Sequence, residues 1–249
     1  MRKSNYALLF LAALTVFWAV GALVSVPLDR YLGLLSLAAV TAILAYGYLR
    51  FEEKKTDTRV IAILGTLAAI SVAGRVLMAP IPSVQPSTFI IVLSGYVFGP
   101  IEGFIVGSTT ALVSNFLLGQ GPWTPWQMLA WGLVGLASGL LGARRSLESR
   151  GRLSAYCASW GFMYGWIVNL YFVLGFVRPV TMRAFAATYA ASVWFDALHA
   201  AGNFAFAFAL GPAMITMLRR YRERFTFEAV GPDGLAPARA PVSEGRPVP

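Results

Sequence analysis

The chain is poor in the groups from which most enzyme sites are built. Its 249 residues include one histidine, one cysteine and three lysines, and only 12% are charged. A single cysteine, Cys157, set in an apolar run, permits no intramolecular disulfide and no cysteine metal motif. One histidine with one carboxylate three residues away supplies too few ligands for a catalytic metal. None of Lys3, Lys54 and Lys55 follows a glycine, so there is no P-loop, and no zinc-helix motif or G-x-S-x-G elbow occurs. The expectation is a chain that is not an enzyme, with no cofactor and no metal. If it moves a solute, the energy comes from another protein or an ion gradient.

Apolar side chains are abundant instead. The chain is 57% hydrophobic with a mean hydropathy of +0.66, whereas soluble domains carry about 25% charged residues. That composition marks an integral membrane protein. The net charge of +9 does not point to nucleic acid, because the basic residues fall in short segments between apolar runs, as topology signals do.

Runs of spanning length, about 20 residues, cover 6–26, 31–49, 60–79, 101–118, 127–142, 153–177 and 190–217. The shorter run 88–98, bounded by Pro86 and Gly99-Pro100, counts as a further span because the alternation of charged segments requires a crossing there. The run after Met1-Arg2-Lys3-Ser4 resembles a signal peptide but has no convincing cleavage site, and is read as an anchor. The expected fold is an all-α polytopic membrane protein of about eight spans with both termini cytoplasmic. With that orientation, fourteen basic residues lie on inside segments, against Arg30, Arg178 and Arg183 outside. This is the positive-inside pattern. The charged break Arg50–Arg59 divides an accessory N-terminal hairpin, 1–53, from a six-helix core, 54–225. The stretch 226–249, rich in proline, glycine and alanine, reads as a disordered cytoplasmic tail.

Depth along each span brings polar residues to the outer side. Arg75 lies four residues before the outer end of its span, and Asn115 lies near the outer end of its own. Gln127 begins the next helix there, and Asn169 falls in the outer half of 153–177. Asp196, His199 and Asn203 follow i, i+3, i+7 spacing, one stripe of a helix. Polar groups are costly in a membrane and face cavities or one another, so this convergence marks a binding site. The bland alternatives are a snorkelling Arg75, asparagines that bond neighbouring helices and a structural Asp196–His199 pair. Glu102, just after Pro100, complements a helix N-terminus and stays outside the site.

Between two of these helices lies Gly119-Gln120-Gly121-Pro122-Trp123-Thr124-Pro125-Trp126-Gln127. Two glycines and two prolines read as a rigid, non-helical connector. Its tryptophans and glutamines suit a binding lid; the alternative is an interfacial aromatic anchor. Small residues repeat every four positions at Gly65, Ala69 and Ala73, at Gly103, Gly107 and Ala111, at Gly135 and Gly139, and at Gly161 and Gly165. Such faces allow close helix approach, within the chain or with a partner. Ala73 and Arg75 are roughly 200° apart around their helix, so one side can address a cavity while the other docks.

With these residues in view, the stretch from about 56 to 224 resembles the substrate-binding S component of an energy-coupling factor (ECF) vitamin transporter. The resemblance rests on Gly74-Arg75, on Pro80-Ile81-Pro82-Ser83-Val84-Gln85-Pro86, and on Gly95-Tyr96-Val97-Phe98-Gly99-Pro100. The run Leu118–Met128 and the stretch Phe195–Asn203 complete it. It is nearest to the cobalamin-type members. The resemblance implies a plasma-membrane subunit that holds a vitamin from the outer side, with Arg75, Gln85, Asn115, Gln120, Trp123, Trp126, Gln127, Asn169, Asp196, His199 and Asn203 around the ligand. It also implies that Ala69 and Ala73 dock on a transmembrane coupling subunit, and that two cytoplasmic ATPases drive the cycle. Two other readings stay open: a secondary transporter coupled to protons through Asp196, and an intramembrane enzyme on a lipid or isoprenoid with Asp196 and His199 as acid and base.

Overall fold

The computed structural model describes residues 31–54 and 56–225; the expected first span 6–26, Arg30 and the tail lie outside the described residues. Among the described residues the fold is all helical. Seven helices follow in order: α1 (Leu32–Glu53), α2 (Thr58–Leu77), α3 (Ser87–Phe98), α4 (Pro100–Leu118), α5 (Thr124–Gly142), α6 (Arg150–Phe176) and α7 (Met182–Phe225). Five of them, α1, α2, α4, α6 and α7, are long and apolar enough to cross a membrane.

Local chemistry sets the helix ends. The Asp57 carboxylate accepts from the Arg59 amide at 2.7 Å and caps α2; Ser149 caps α6 by accepting from the Arg152 amide. Gly99, at φ +124°, is the single residue between α3 and α4, and Pro100 opens α4 where its missing N–H has no cost. Gly119, at φ +115°, stops α4.

Three helices differ from the expectation. α3 has 12 residues, every one buried, and at about 18 Å it is too short to cross a hydrocarbon core of about 30 Å by itself. It lies inside the bundle and shows no face to lipid. The connector after α4 is non-helical only to Trp123; Thr124, Pro125, Trp126 and Gln127 form the first turn of α5, where proline is tolerated. α7 continues through 44 residues with Pro212 inside it, the helix running on through the Gly211-Pro212 pair.

The contacts sort the helix ends into two groups. Lys54 pairs with Glu102. Tyr96 approaches Leu147 and Glu148, Arg219 grips Glu148, and Arg222 donates to the Val97 carbonyl at 2.7 Å. The segments expected on the basic side thus meet at one end of the bundle. At the other end are the end of α2, the start of α3, the end of α4 and the start of α5. The cores of α4 and α5 approach on glycine: a Cβ at Gly135 would fall 2.0 Å from the Gly103 carbonyl oxygen, and one at Gly107 would fall 2.1 Å from that of Trp131. α1 packs on α4, α5 and α6, and its Tyr48 hydroxyl accepts from Ser108 at 3.0 Å.

Candidate functional site

The centre of the site is Arg75, in the last turn of α2. Its guanidinium donates to Ser114 and, at 2.7 Å, to Oδ1 of Asn115, both in the last turn of α4. Asn115 is almost fully buried and its Nδ2 donates to Thr124 at 2.9 Å and to Gln127 Oε1 at 2.7 Å, at the start of α5. Thr124 in turn donates to Gln120 Oε1 at 2.8 Å, and Gln120 Nε2 closes back on the Leu112 carbonyl at 3.0 Å. One asparagine therefore ties the arginine to both the connector and the next helix.

A second arm leads from Arg75 into the bundle. The guanidinium carbon stands 4.8 Å from the centroid of Trp131, a cation–π distance. Trp131 is fully buried, stacks on Tyr164 of α6 at 4.8 Å, and donates its Nε1 to Thr88 of α3 at 2.9 Å. Thr88 stands 2.9 Å from His199 Nε2, and the His199 ring meets Tyr164 edge-on at 5.2 Å. With Trp131 donating to it, the Thr88 hydroxyl has its one proton to give, which suits an unprotonated Nε2. The result is a row of rings, Trp131, Tyr164 and His199, with the cation at one end.

A further chain runs along α6 and α7. Asn169 donates to Ser192 at 2.8 Å, and Ser192 donates to Asp196 Oδ2 at 2.9 Å. The other carboxylate oxygen lies against Gly165, where a Cβ would fall 1.9 Å away. His199 follows Asp196 by three residues on α7, one turn further on.

Of the residues expected from sequence, Arg75, Asn115, Gln120, Gln127 and His199 share the first network, and Asn169 and Asp196 form the second. Gln85 is half-buried in the α2–α3 loop and is outside the hydrogen-bonded network. Trp123 is exposed and folds over Gly121. Trp126 turns away into an apolar cluster with Val40 and Leu44 of α1, Phe104 and Leu129. Asn203 is fully buried and its amide has no partner among the described residues. Thr88, Ser114, Trp131 and Tyr164 were not among the expected site residues. Trp131 was open to discovery, because it follows Gln127 by four residues on the same helix face; nothing in the apolar runs marks Tyr164 or Thr88.

The opposite face of α2 is different in kind. Gly65, Ala69 and Ala73 are exposed, and a Cβ at Gly65 would meet nothing within 4 Å. With Val113 and Leu117 of α4 they line an almost wholly apolar groove of about 530 Å³. The other small-residue stripes are used inside the chain, as at Gly103 with Gly135 and at Gly161 with Ala200.

The family model for the ECF-type riboflavin transporter, S component, matches residues 55–220. The chain belongs to that family. As an S component it is a multi-pass membrane protein and a member of a family of transporter components, not of enzymes. A UPF0397 protein of Vibrio atlanticus (strain LGP32) is 30% identical over 89 residues, covering 34% of this chain and 48% of that protein. The match thus spans about half the length of that relative. No solved structure matches the chain.

Proposed function

We propose that this S component is the substrate-binding subunit of an ECF-type importer of the plasma membrane, capturing a vitamin from the outer side at the Arg75 network. The observation that carries this is the meeting of α2, α3, α4, α5, α6 and α7 on one buried polar and aromatic cluster at the end of the bundle opposite the basic segments. Arg75 supplies charge and a fork of donors, Trp131 and Tyr164 a flat apolar wall, and Asn115, Gln127 and Asp196 fix orientation. A flat heteroaromatic ring suits that wall. Riboflavin, from the family description, is the first compound to test, and cobalamin, from the sequence resemblance, is the second.

The exposed Gly65–Ala69–Ala73 face is the docking site for the transmembrane coupling subunit, and separate ATPases drive release. The reading is tested by purifying the full chain without partners and identifying the small molecule it retains. The expected result is a vitamin bound without ATP and weakened in Arg75→Ala. A chain that retains no vitamin and binds neither riboflavin nor cobalamin overturns it. The Asn169–Ser192–Asp196 chain supports the rival reading, proton-coupled transport, which requires gradient-driven uptake by this chain alone in liposomes.

A further inference from the structure

At 1.5 Å per residue α7 is about 66 Å long, roughly twice a hydrocarbon core of about 30 Å. Its last turns run past the membrane boundary at the basic end of the bundle, where Arg219 grips Glu148 and Arg222 donates to the Val97 carbonyl. These turns carry a groove of about 530 Å³, whose lining includes Pro212, Ala213, Met217, Arg220, Tyr221 and Arg224. The arginines here divide between two tasks. Arg219 and Arg222 turn to the bundle, whereas Arg220 and Arg224 are exposed and line the groove. Glu223, the one acidic residue in 219–224, is not among the lining residues. On the membrane side of these arginines the surface is apolar. Phe204, Phe208, Pro212, Thr216, Arg220 and Arg224 succeed one another at four-residue steps, one ridge of the helix. Phe204 and Phe208 are exposed and stack at 5.9 Å. The guanidinium of Arg150, at the start of α6, lies 5.2 Å from the Phe208 ring centroid.

Positive charge at this end is expected of any inside segment; the groove gives that charge a shape. Its wall changes from apolar at Pro212, Ala213 and Met217 to basic at Arg220 and Arg224. We propose that the groove holds an anionic phospholipid of the adjoining leaflet. The phosphodiester lies between Arg220 and Arg224, and an acyl chain follows Met217, Ala213 and Pro212 toward Phe208. Side chains four residues apart on a helix stand about 5–6 Å apart at Cβ, so both guanidinium forks can reach one phosphate. Four arginines against one glutamate in 219–224 favour a lipid of net negative charge over a zwitterionic one. The apolar part of the groove favours a lipid over a soluble phosphate, which would leave that wall uncovered. This site is at the end of the bundle away from Arg75 and does not depend on vitamin capture there.

The test titrates the full chain in detergent with phosphatidylglycerol and with phosphatidylcholine, and counts bound lipid by native mass spectrometry. Wild type is expected to bind its first phosphatidylglycerol about tenfold or more tightly than phosphatidylcholine. In Arg220→Gln/Arg224→Gln the phosphatidylglycerol affinity is expected to fall by about tenfold or more, since each arginine near the surface contributes separately. Arg144→Gln/Arg145→Gln removes the same charge from the loop between α5 and α6, outside the groove, and is expected to bind as wild type does. Glycerol 3-phosphate, a phosphate without chains, is expected not to compete. Equal binding of the two lipids by wild type overturns the proposal, as does an equal loss in both double variants. Competition by glycerol 3-phosphate makes the groove a soluble-phosphate site and overturns it too. Should the Arg220/Arg224 variant fail to fold, Met217→Glu decides, because it keeps both arginines and sets a carboxylate in the groove. Loss of phosphatidylglycerol from that variant sustains the proposal, and wild-type affinity overturns it. Variants that keep the lipid but no longer copurify with a coupling subunit would assign the groove to a protein partner, which also overturns it.

Discussion

The guanidinium of Arg75 and the amide oxygen of Asn115 are 2.7 Å apart, although 40 residues separate them in the chain. The other end of the same amide is committed to Thr124 and Gln127, so Asn115 sets both the direction of the charge and the position of the connector. Asn115→Ala releases the arginine and leaves Gln127 without its donor. Hydrogen bonds to a charged group contribute about 1.5–3 kcal/mol, so the expected loss of vitamin affinity is about 10- to 100-fold, read by titration calorimetry on the purified chain. Affinity equal to wild type would show that Arg75 is held without Asn115.

Much of the helical order is written in the apolar runs. The expected span 101–118 is α4 to within a residue, 153–177 is α6 with a longer start, and the break at Gly119 is where the chain stops being helical. The depth argument also placed Arg75, Asn115 and Gln127 at one level, because each sits at the end of a span whose length the bilayer sets. Lateral direction was not legible. Trp126 and Trp131 both lie on α5, yet one packs against α1 and the other under Arg75, and only the neighbouring helices decide that. The small-residue stripes were equally silent. Gly103 and Gly65 read alike in sequence, but the first is pressed against Gly135 and the second faces open space.

The contact of α4 with α5 leaves no room for a side chain. A Cβ at Gly135 meets the backbone of Gly103, with atoms 2.0, 2.1 and 2.8 Å away, and backbone cannot rotate aside as a side chain can. Gly135→Val is expected to separate the two helices and to destabilise the chain by about 1–3 kcal/mol or more, as overpacking does. The expected readout is a lowered melting midpoint in detergent together with loss of vitamin binding, since Asn115 and Gln127 ride on the same two helices. Gly65→Val, on the open face, is expected to leave the midpoint within a degree or two of wild type.

At the basic end, Arg219 holds Glu148 with two hydrogen bonds, of 2.6 and 3.2 Å. The Arg219 guanidinium keeps the Glu148 carboxyl below the usual carboxylate range. The sign follows from that direction. The pair stabilises the folded chain above the ordinary glutamate pKa, and the contribution is lost as pH falls through the lowered folded-state value. Glu148 is 41% exposed, so the pair is screened and belongs with surface pairs of about 0.2–1 kcal/mol. Glu148→Gln is therefore expected to lower the melting midpoint slightly at pH 7 and to match wild type once the pH is well below the ordinary carboxylate range. A difference that persists undiminished there would assign the effect to packing, not charge.

The proposed docking groove on α2 lies on the opposite side of that helix from the proposed capture site. Ala69 and Ala73 point away from Arg75, into the apolar groove shared with Val113 and Leu117, and neither takes part in the polar network. A leucine at either position adds bulk to a surface that accepts close backbone approach only because it is small. Ala69→Leu and Ala73→Leu are expected to retain vitamin with wild-type affinity and to melt as wild type does. Vitamin uptake by cells, and recovery of a coupling subunit and ATPases with the tagged chain, are expected to fall about tenfold or more, since a loss of only 1.4 kcal/mol at the contact suffices for that. Uptake equal to wild type in both variants would move the docking face elsewhere on the bundle. Loss of vitamin binding in the same variants would show that the groove and the Arg75 network are one site after all.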